Sequence, residues 1–316
     1  MQLPNSFITT IQKAFKEDGE KFLAVLPALV DEFSERWGLT DVQPVSNLSF
    51  NFVAFARRPS TTPRNVRGSA QDEVILKMGV SNNELRSEIE ALKLFNGNGA
   101  CQLLESDAES GVFLLERLNP GIMLAEIEDD DERTHIAADV MQRLWRPLDS
   151  GSLLPAELQK FIKLSDWFDE LKTVRPKFDG GTGPFPKEIF ERVESFLPEL
   201  FADENVKLIH GDFHHFNILN SERGWLIIDP KGVIGPAGYE VGPLMINPWN
   251  SLSDGISFKV QTERRIDIFR ERLGWEREKL IRWSLAHSVL SAWWDFESSL
   301  DWEYSLNCAK VFAEIK

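Results

Sequence analysis

One segment of the chain concentrates side chains able to do chemistry: His210-Gly211-Asp212-Phe213-His214-His215-Phe216-Asn217. A further carboxylate, Asp229, closes the apolar run Trp225-Leu226-Ile227-Ile228. The apolar run Val206–Ile209 leads into the segment, which places Asp212 and Asn217 on a loop just after a strand. Asn217–Asn220 and Trp225–Asp229, turning at Ser221–Gly224, read as a hairpin that returns Asp229 beside Asn217. One loop thus converges an amide and two carboxylates, a set suited to phosphoryl transfer. A carboxylate can orient an attacking hydroxyl and take up its proton late, while an amide oxygen and a second carboxylate hold Mg²⁺ against phosphates. The crowding of His210, Asp212, His214 and His215 also admits a metallohydrolase, which would need further ligands from distant segments and an open position for water. Only His135 and His287 remain to supply them, each within a helical pattern, and that reading leaves Asn217 and Asp229 without a role.

The elements that must position these residues follow from periodicity. A helix is expected over Glu20–Trp37, and β-like runs over Gln43–Val45, Phe52–Ala56, Glu73–Met78 and Val112–Arg117. Asn83–Asn96 reads as a helix, with Leu85, Ile89 and Leu92 on one face and Gly97 and Gly99 as stop signals. After Asn119-Pro120-Gly121 the pattern turns helical, over Arg133–Trp145, Phe161–Lys172, Lys187–Phe201 and Glu276–Phe296, interrupted by one β region at Lys207–Asp229. Arg57–Gln71 and Lys177–Pro186 read as loops. The outline is α+β, with a β-rich first lobe over 1–117 and a mainly helical second lobe over 118–316.

Composition narrows the partners. A formal net charge of −15 argues against nucleic acid, whose phosphates are held by clustered Lys and Arg. No apolar run approaches the roughly 20 residues that span a bilayer, so no membrane partner is expected. The opening residues lack the basic and apolar regions of a signal peptide. Two cysteines make no disulfide framework. Together these point to a cytoplasmic protein.

The D-x-x-x-x-N spacing of Asp212 and Asn217 equals that of the protein-kinase catalytic loop. HGDFHHFNIL followed by WLIIDPKGVIGPAGYEVG resembles the aminoglycoside phosphotransferase family, in the branch that groups streptomycin 6-kinases with hydroxyurea phosphotransferases. The resemblance runs from about residue 72 to the C-terminus and includes Leu290-Ser291-Ala292-Trp293-Trp294-Asp295. It implies a bilobal, protein-kinase-like fold, ATP, Mg²⁺ and a hydroxyl-bearing acceptor such as streptomycin. Asp212 matches the catalytic Asp, and Asn217 and Asp229 match the metal ligands. In Val74-Ile75-Leu76-Lys77, Lys77 matches the lysine of the α- and β-phosphates, and Glu88 matches the helix carboxylate that pairs with it. Helix geometry agrees, because Glu88 falls on the Leu85/Ile89/Leu92 face and Glu90 points away from it. Glu116-Arg117-Leu118 resembles the hinge whose backbone binds adenine, giving Glu116 and Leu118 to the nucleotide. The phosphate-covering loop should lie at Ser46–Asn51, which departs from the protein-kinase pattern in having no glycine. Choline, homoserine, methylthioribose and fructosamine kinases share these core residues, so the acceptor class stays open among them. A nucleotide-binding protein without turnover is the non-enzymatic alternative.

Overall fold

Apolar residues near the start of the chain recur at helical spacing. In the computed structural model, which describes residues 3–59, 73–147, 155–203, 206–249 and 258–315, they form helix α1 (Asn5–Trp37). The helix begins well before the expected Glu20 and is interrupted at Lys16, whose backbone (φ 51°, ψ −126°) is non-helical. Past the break, an added Cβ on Gly19 would stand 2.5 Å from the Ile11 carbonyl oxygen, a close approach that glycine permits. The stripe Phe7, Ile11, Phe22, Leu26 and Phe33 shares one core with Phe52, Ala54, Leu76 and Leu114.

Those partners belong to a sheet of β1 (Thr40–Pro44), β2 (Phe52–Arg57), β3 (Glu73–Met78), β4 (Leu103–Asp107) and β5 (Val112–Glu116), ordered β1-β2-β3-β5-β4 with every pairing antiparallel. Strand β4 is absent from the sequence reading because all five of its residues are half-buried, so the alternation that marks a strand is missing. Most of the expected loop Arg57–Gln71 lies outside the described residues. Between β3 and β4, helix α2 (Asn83–Phe95) starts at Asn82, whose side chain accepts the Leu85 N–H at 2.9 Å, and ends at left-handed Asn96.

The chain's contacts divide it after Gly121 into two compact units, 1–121 and 122–316. The second unit holds helices α3 (Asp130–Leu144), α4 (Leu164–Asp169), α5 (Lys187–Phe201), α6 (Val241–Met245), α7 (Phe258–Leu273), α8 (Arg277–Glu297) and α9 (Glu303–Glu314). The expected helix Phe161–Lys172 resolves into a two-residue strand at Ile162–Lys163, α4 and a 3-10 turn. Helices α7 and α9 are additions to the sequence reading. The charge density of α7 hides its inner face, where Arg265, 1 % exposed, bonds Asp130 through Nε at 2.9 Å and Nη2 at 2.6 Å. Helix α8 is buried on nearly every side, from Leu280 to Trp293.

Four longer strands of this unit carry the loop of interest: β6 (Val206–Ile209), β7 (Ile218–Ser221), β8 (Gly224–Ile227) and β9 (Val233–Pro236). Strand β9 extends the β region past Asp229, pairing antiparallel with β6 and parallel with Ile162–Lys163. Strands β7 and β8 form the expected hairpin, in the register Ile218↔Ile227 to Ser221↔Gly224. Among the described residues, no helix is long and apolar enough to cross a membrane.

Candidate active site

The first unit buries an ion pair. Lys77 lies in β3 between Val53 of β2 and Phe113 of β5, its ammonium 5.4 Å above the Phe113 ring. On α2, the face of Leu85, Glu88, Ile89, Leu92 and Phe95 turns inward. Lys77 Nζ stands 2.6 Å from Glu88 Oε1, with side-chain exposures of 3 % and 9 %. Burying either charge alone would be costly, so the pairing expected of a carboxylate on an apolar face is formed. Glu90 lies off that face, half-buried and bridged to Lys93 at 2.8 Å. At the end of β5, the Glu116 N–H donates to the Gln102 carbonyl at 3.0 Å and Glu116 Oε1 accepts the Gln102 N–H at 2.7 Å. Leu118 follows, buried. Ser46–Asn51 forms the turn between β1 and β2, closed by the Val45 N–H on the Val53 carbonyl at 3.0 Å.

The second unit builds the loop after β6. Gly211 turns the chain with φ 86°, and a Cβ there would meet Val233 at 2.5 Å and Trp167 at 3.0 Å. His210 is wholly buried, and burial pulls its imidazole down to about 4, so it is neutral at physiological pH. Its Nδ1 accepts the Asp212 N–H at 3.1 Å, which leaves Nε2 to donate to the Ile228 carbonyl at 2.8 Å. One imidazole thereby ties the Asp212 loop to the strand that leads to Asp229. Glu240 braces the same turn from beneath, accepting the N–H groups of His210 and, at 3.4 Å, of Gly211. Burial pushes the Glu240 carboxyl up to about 8 despite those two donors.

Asp212, Asn217 and Asp229 converge as the spacing implies. Asn217 Nδ2 donates to the Asp212 carbonyl at 3.0 Å, and the Ile228 N–H reaches the Asn217 carbonyl at 2.9 Å, drawing Asp229 alongside. Because a carbonyl takes the amide nitrogen, the oxygen of the Asn217 side chain is set at the opposite end, available as a hard ligand. Asp229 holds a left-handed backbone (φ 55°) immediately after the hairpin. An amide oxygen and a carboxylate suit Mg²⁺, which usually completes its shell with phosphate oxygens and waters. Among the described residues, no three His, Cys, Asp or Glu side chains cluster as a metal site.

Asp212 itself keeps 40 % of its side chain exposed, with His214 Nε2 at 3.6 Å from Oδ1. Surrounding protein pushes its carboxyl up, but charge, led by His214 and then Lys231, outweighs that, and it titrates below its ordinary value. An ionised, partly open carboxylate can accept a hydroxyl proton. Three neighbours escaped the sequence reading: Lys231, Tyr239 and His287. Tyr239 Oη lies 2.9 Å from His287 Nδ1, and burial pulls His287 down to about 3. The one local trace of this pair is Gly238-Tyr239-Glu240-Val241-Gly242. A Cβ at either glycine would stand 2.4 Å from α8, at Trp283 Nε1 and at His287 Cβ respectively.

The family model for aminoglycoside/hydroxyurea antibiotic resistance kinases matches residues 55–298. A streptomycin 6-kinase of Streptomyces glaucescens is 27% identical over 308 residues, covering 94% of this chain and 92% of that protein. A hydroxyurea phosphotransferase of Kitasatospora aureofaciens is 29% identical over 283 residues, covering 88% of this chain and 76% of that one. Among solved structures, the choline kinase LicA from Streptococcus pneumoniae superposes with a TM-score of 0.59 at 17% identity, covering 92% of this chain and 100% of that one. This likeness shows a protein-kinase-like fold.

Proposed function

Since the chain belongs to the aminoglycoside/hydroxyurea antibiotic resistance kinase family, we propose that it moves the γ-phosphoryl of ATP, with Mg²⁺, onto a hydroxyl of a cationic acceptor such as streptomycin. Membership of this family makes it a small-molecule phosphotransferase. The observation that carries it is the convergence of Asp212, Asn217 and Asp229 on one buttressed loop and hairpin.

In this reading Asp212 orients the acceptor hydroxyl and receives its proton. Asn217 and Asp229 hold Mg²⁺, which when bound neutralises charge on the phosphates. Lys77, fixed by Glu88, meets the α- and β-phosphates, and the Glu116 carbonyl and Leu118 N–H meet adenine. The first unit would cover the nucleotide, and the second would supply the catalytic loop and the acceptor site. Support for a cationic acceptor comes from the surroundings of Gly211. Trp167 reaches this turn, and its half-buried ring packs edge-on to Trp294 at 5.3 Å. Exposed Glu170 accepts the Trp294 indole N–H at 2.7 Å, and exposed Asp166 flanks Trp167 in sequence. Indole faces and carboxylates are the groups that receive guanidinium and ammonium ions. We place the enzyme in the cytoplasm, where ATP is supplied and where its two buried free cysteines stay reduced.

The test is ADP release and product mass with streptomycin, and with hydroxyurea as the comparison acceptor, for wild type and Asp212→Asn. Streptomycin-dependent turnover is expected, with kcat falling about 10²–10⁴-fold in the variant while ATP binding persists. ATP binding without any streptomycin phosphate would discard that acceptor. Near-normal turnover by Asp212→Asn would remove Asp212 from the mechanism.

A further inference from the structure

Resting on this kinase reading, one residue of the Asp229-Pro230-Lys231-Gly232 segment still lacks a role. Asp212 and Asp229 bring two carboxylates to a loop meant to receive an anionic phosphoryl group. Like charges gathered at one site raise the barrier unless cations answer them. The imidazoles of His210 and His287 are buried and neutral at physiological pH. A lysine is placed here by backbone geometry. The Lys231 N–H donates to the His210 carbonyl at 2.7 Å, pinning the residue across from the turn that presents Asp212. Its Cβ would lie 3.2 Å from a Cβ on Gly211, so its stem starts against the residue preceding Asp212. Gly232, at φ 66°, then carries the chain away into β9. The side chain is half-buried, and its charge acts on the Asp212 carboxylate.

We propose that Lys231 is a further catalytic residue, whose ammonium contacts the phosphoryl group during transfer and offsets its repulsion from Asp212. In that step the acceptor O–H proton passes to the Asp212 carboxylate and the acceptor oxygen forms the new O–P bond. The bond from γ-phosphorus to the bridging oxygen breaks, and its electron pair leaves with ADP. Lys231 keeps its protons throughout.

Lys231→Cys in the full chain, before and after alkylation with 2-bromoethylamine, tests this. The native Cys101 and Cys308 are both buried, and burial pushes the Cys308 thiol up to about 12, so the new thiol is the one to react. Turnover is read with streptomycin, with hydroxyurea, and as ATP hydrolysis with water as acceptor. The Cys variant should lose about 10²–10³-fold in kcat, as removal of one transition-state donor does. The KM values for ATP and acceptor should stay within about threefold, the pattern of an interaction made only in the transition state. Alkylation, which rebuilds an ammonium at lysine length, should restore kcat to about a tenth of wild type or better; the neutral adduct of iodoacetamide should not. Lys231→Met repeats the measurement should the Cys variant lose its thermal transition. An unchanged kcat, equal rescue by the neutral adduct, or a loss confined to one KM overturns the assignment while leaving the kinase reading intact. A wild type without turnover on any of the three acceptors overturns the kinase reading, and Lys231 with it.

Discussion

Acidification should expose how deeply the second unit buries its imidazoles. His287 has an ordinary pKa of 6.5 and a folded value of about 3, because burial disfavours its charged form. Between these values the unfolded chain binds a proton that the native protein excludes, so stability falls as pH drops through the window. Each unit below 6.5 costs about 1.4 kcal/mol, and at pH 5 the loss from His287 reaches about 2 kcal/mol. His210, at about 4, adds a similar loss over the same range, and His215 acts in the same direction. Glu240 opposes them. Its folded value of about 8 lies above the ordinary 4.5, so the native state holds the extra proton and loses stability as pH rises. The wild-type slope therefore mixes signs, but the difference between wild type and His287→Gln isolates one imidazole. Urea unfolding at pH 7 and pH 5, followed by tryptophan fluorescence, reports chiefly on the second unit, which holds every tryptophan but Trp37. From pH 7 to pH 5 the variant should lose about 2 kcal/mol less than wild type. Equal losses in the two proteins would refute the claim that His287 is buried neutral.

Two further outcomes bear on the proposed site. Asp229→Asn, which tolerates the left-handed backbone at this position better than alanine would, should abolish the Mg²⁺-dependent tightening of a non-hydrolysable ATP analogue; undiminished tightening in calorimetry would refute Asp229 as a ligand. Glu88→Ala removes the carboxylate 2.6 Å from a buried ammonium and should destabilise the protein by about 3–5 kcal/mol. The double change Lys77→Met with Glu88→Leu should recover much of that stability without recovering turnover, and an active double variant would take Lys77 out of phosphate binding.

The parts of the fold visible in the sequence are those whose pattern is local. Asn83–Phe95 shows both its apolar face and its cap, and the Lys187–Phe201 helix has the limits its periodicity gives. Helix α7 is hidden for a physical reason: its inner face includes Arg265, whose charge is neutralised by Asp130, a residue far away in the chain. Hydrophobic periodicity cannot register a buried arginine. Helix α8 is visible as a helix, but its inner face is not, for the opposite reason. A helix surrounded by α5, α6 and α9 has no solvent face from which a stripe could be distinguished.

The same distinction governs the site. Asp212, Asn217 and Asp229 are legible because a strand, one glycine at positive φ and a tight hairpin bring them together within a single short stretch. Glu88 is legible because a helix face offers few places for a carboxylate to go. His287 is different: its position beside Tyr239 depends on how α8 packs against the turn before α6, a contact between segments distant in sequence. The glycines at 238 and 242 record that packing only as an absence of side chains, because a Cβ at either would collide with α8. Lys231 lies between these cases. Its spacing from Asp229 is local, but its meeting with the Asp212 loop depends on β9 returning antiparallel to β6. A lysine beside the Asp212 loop is therefore specified by strand pairing, and only the folded sheet brings it into view.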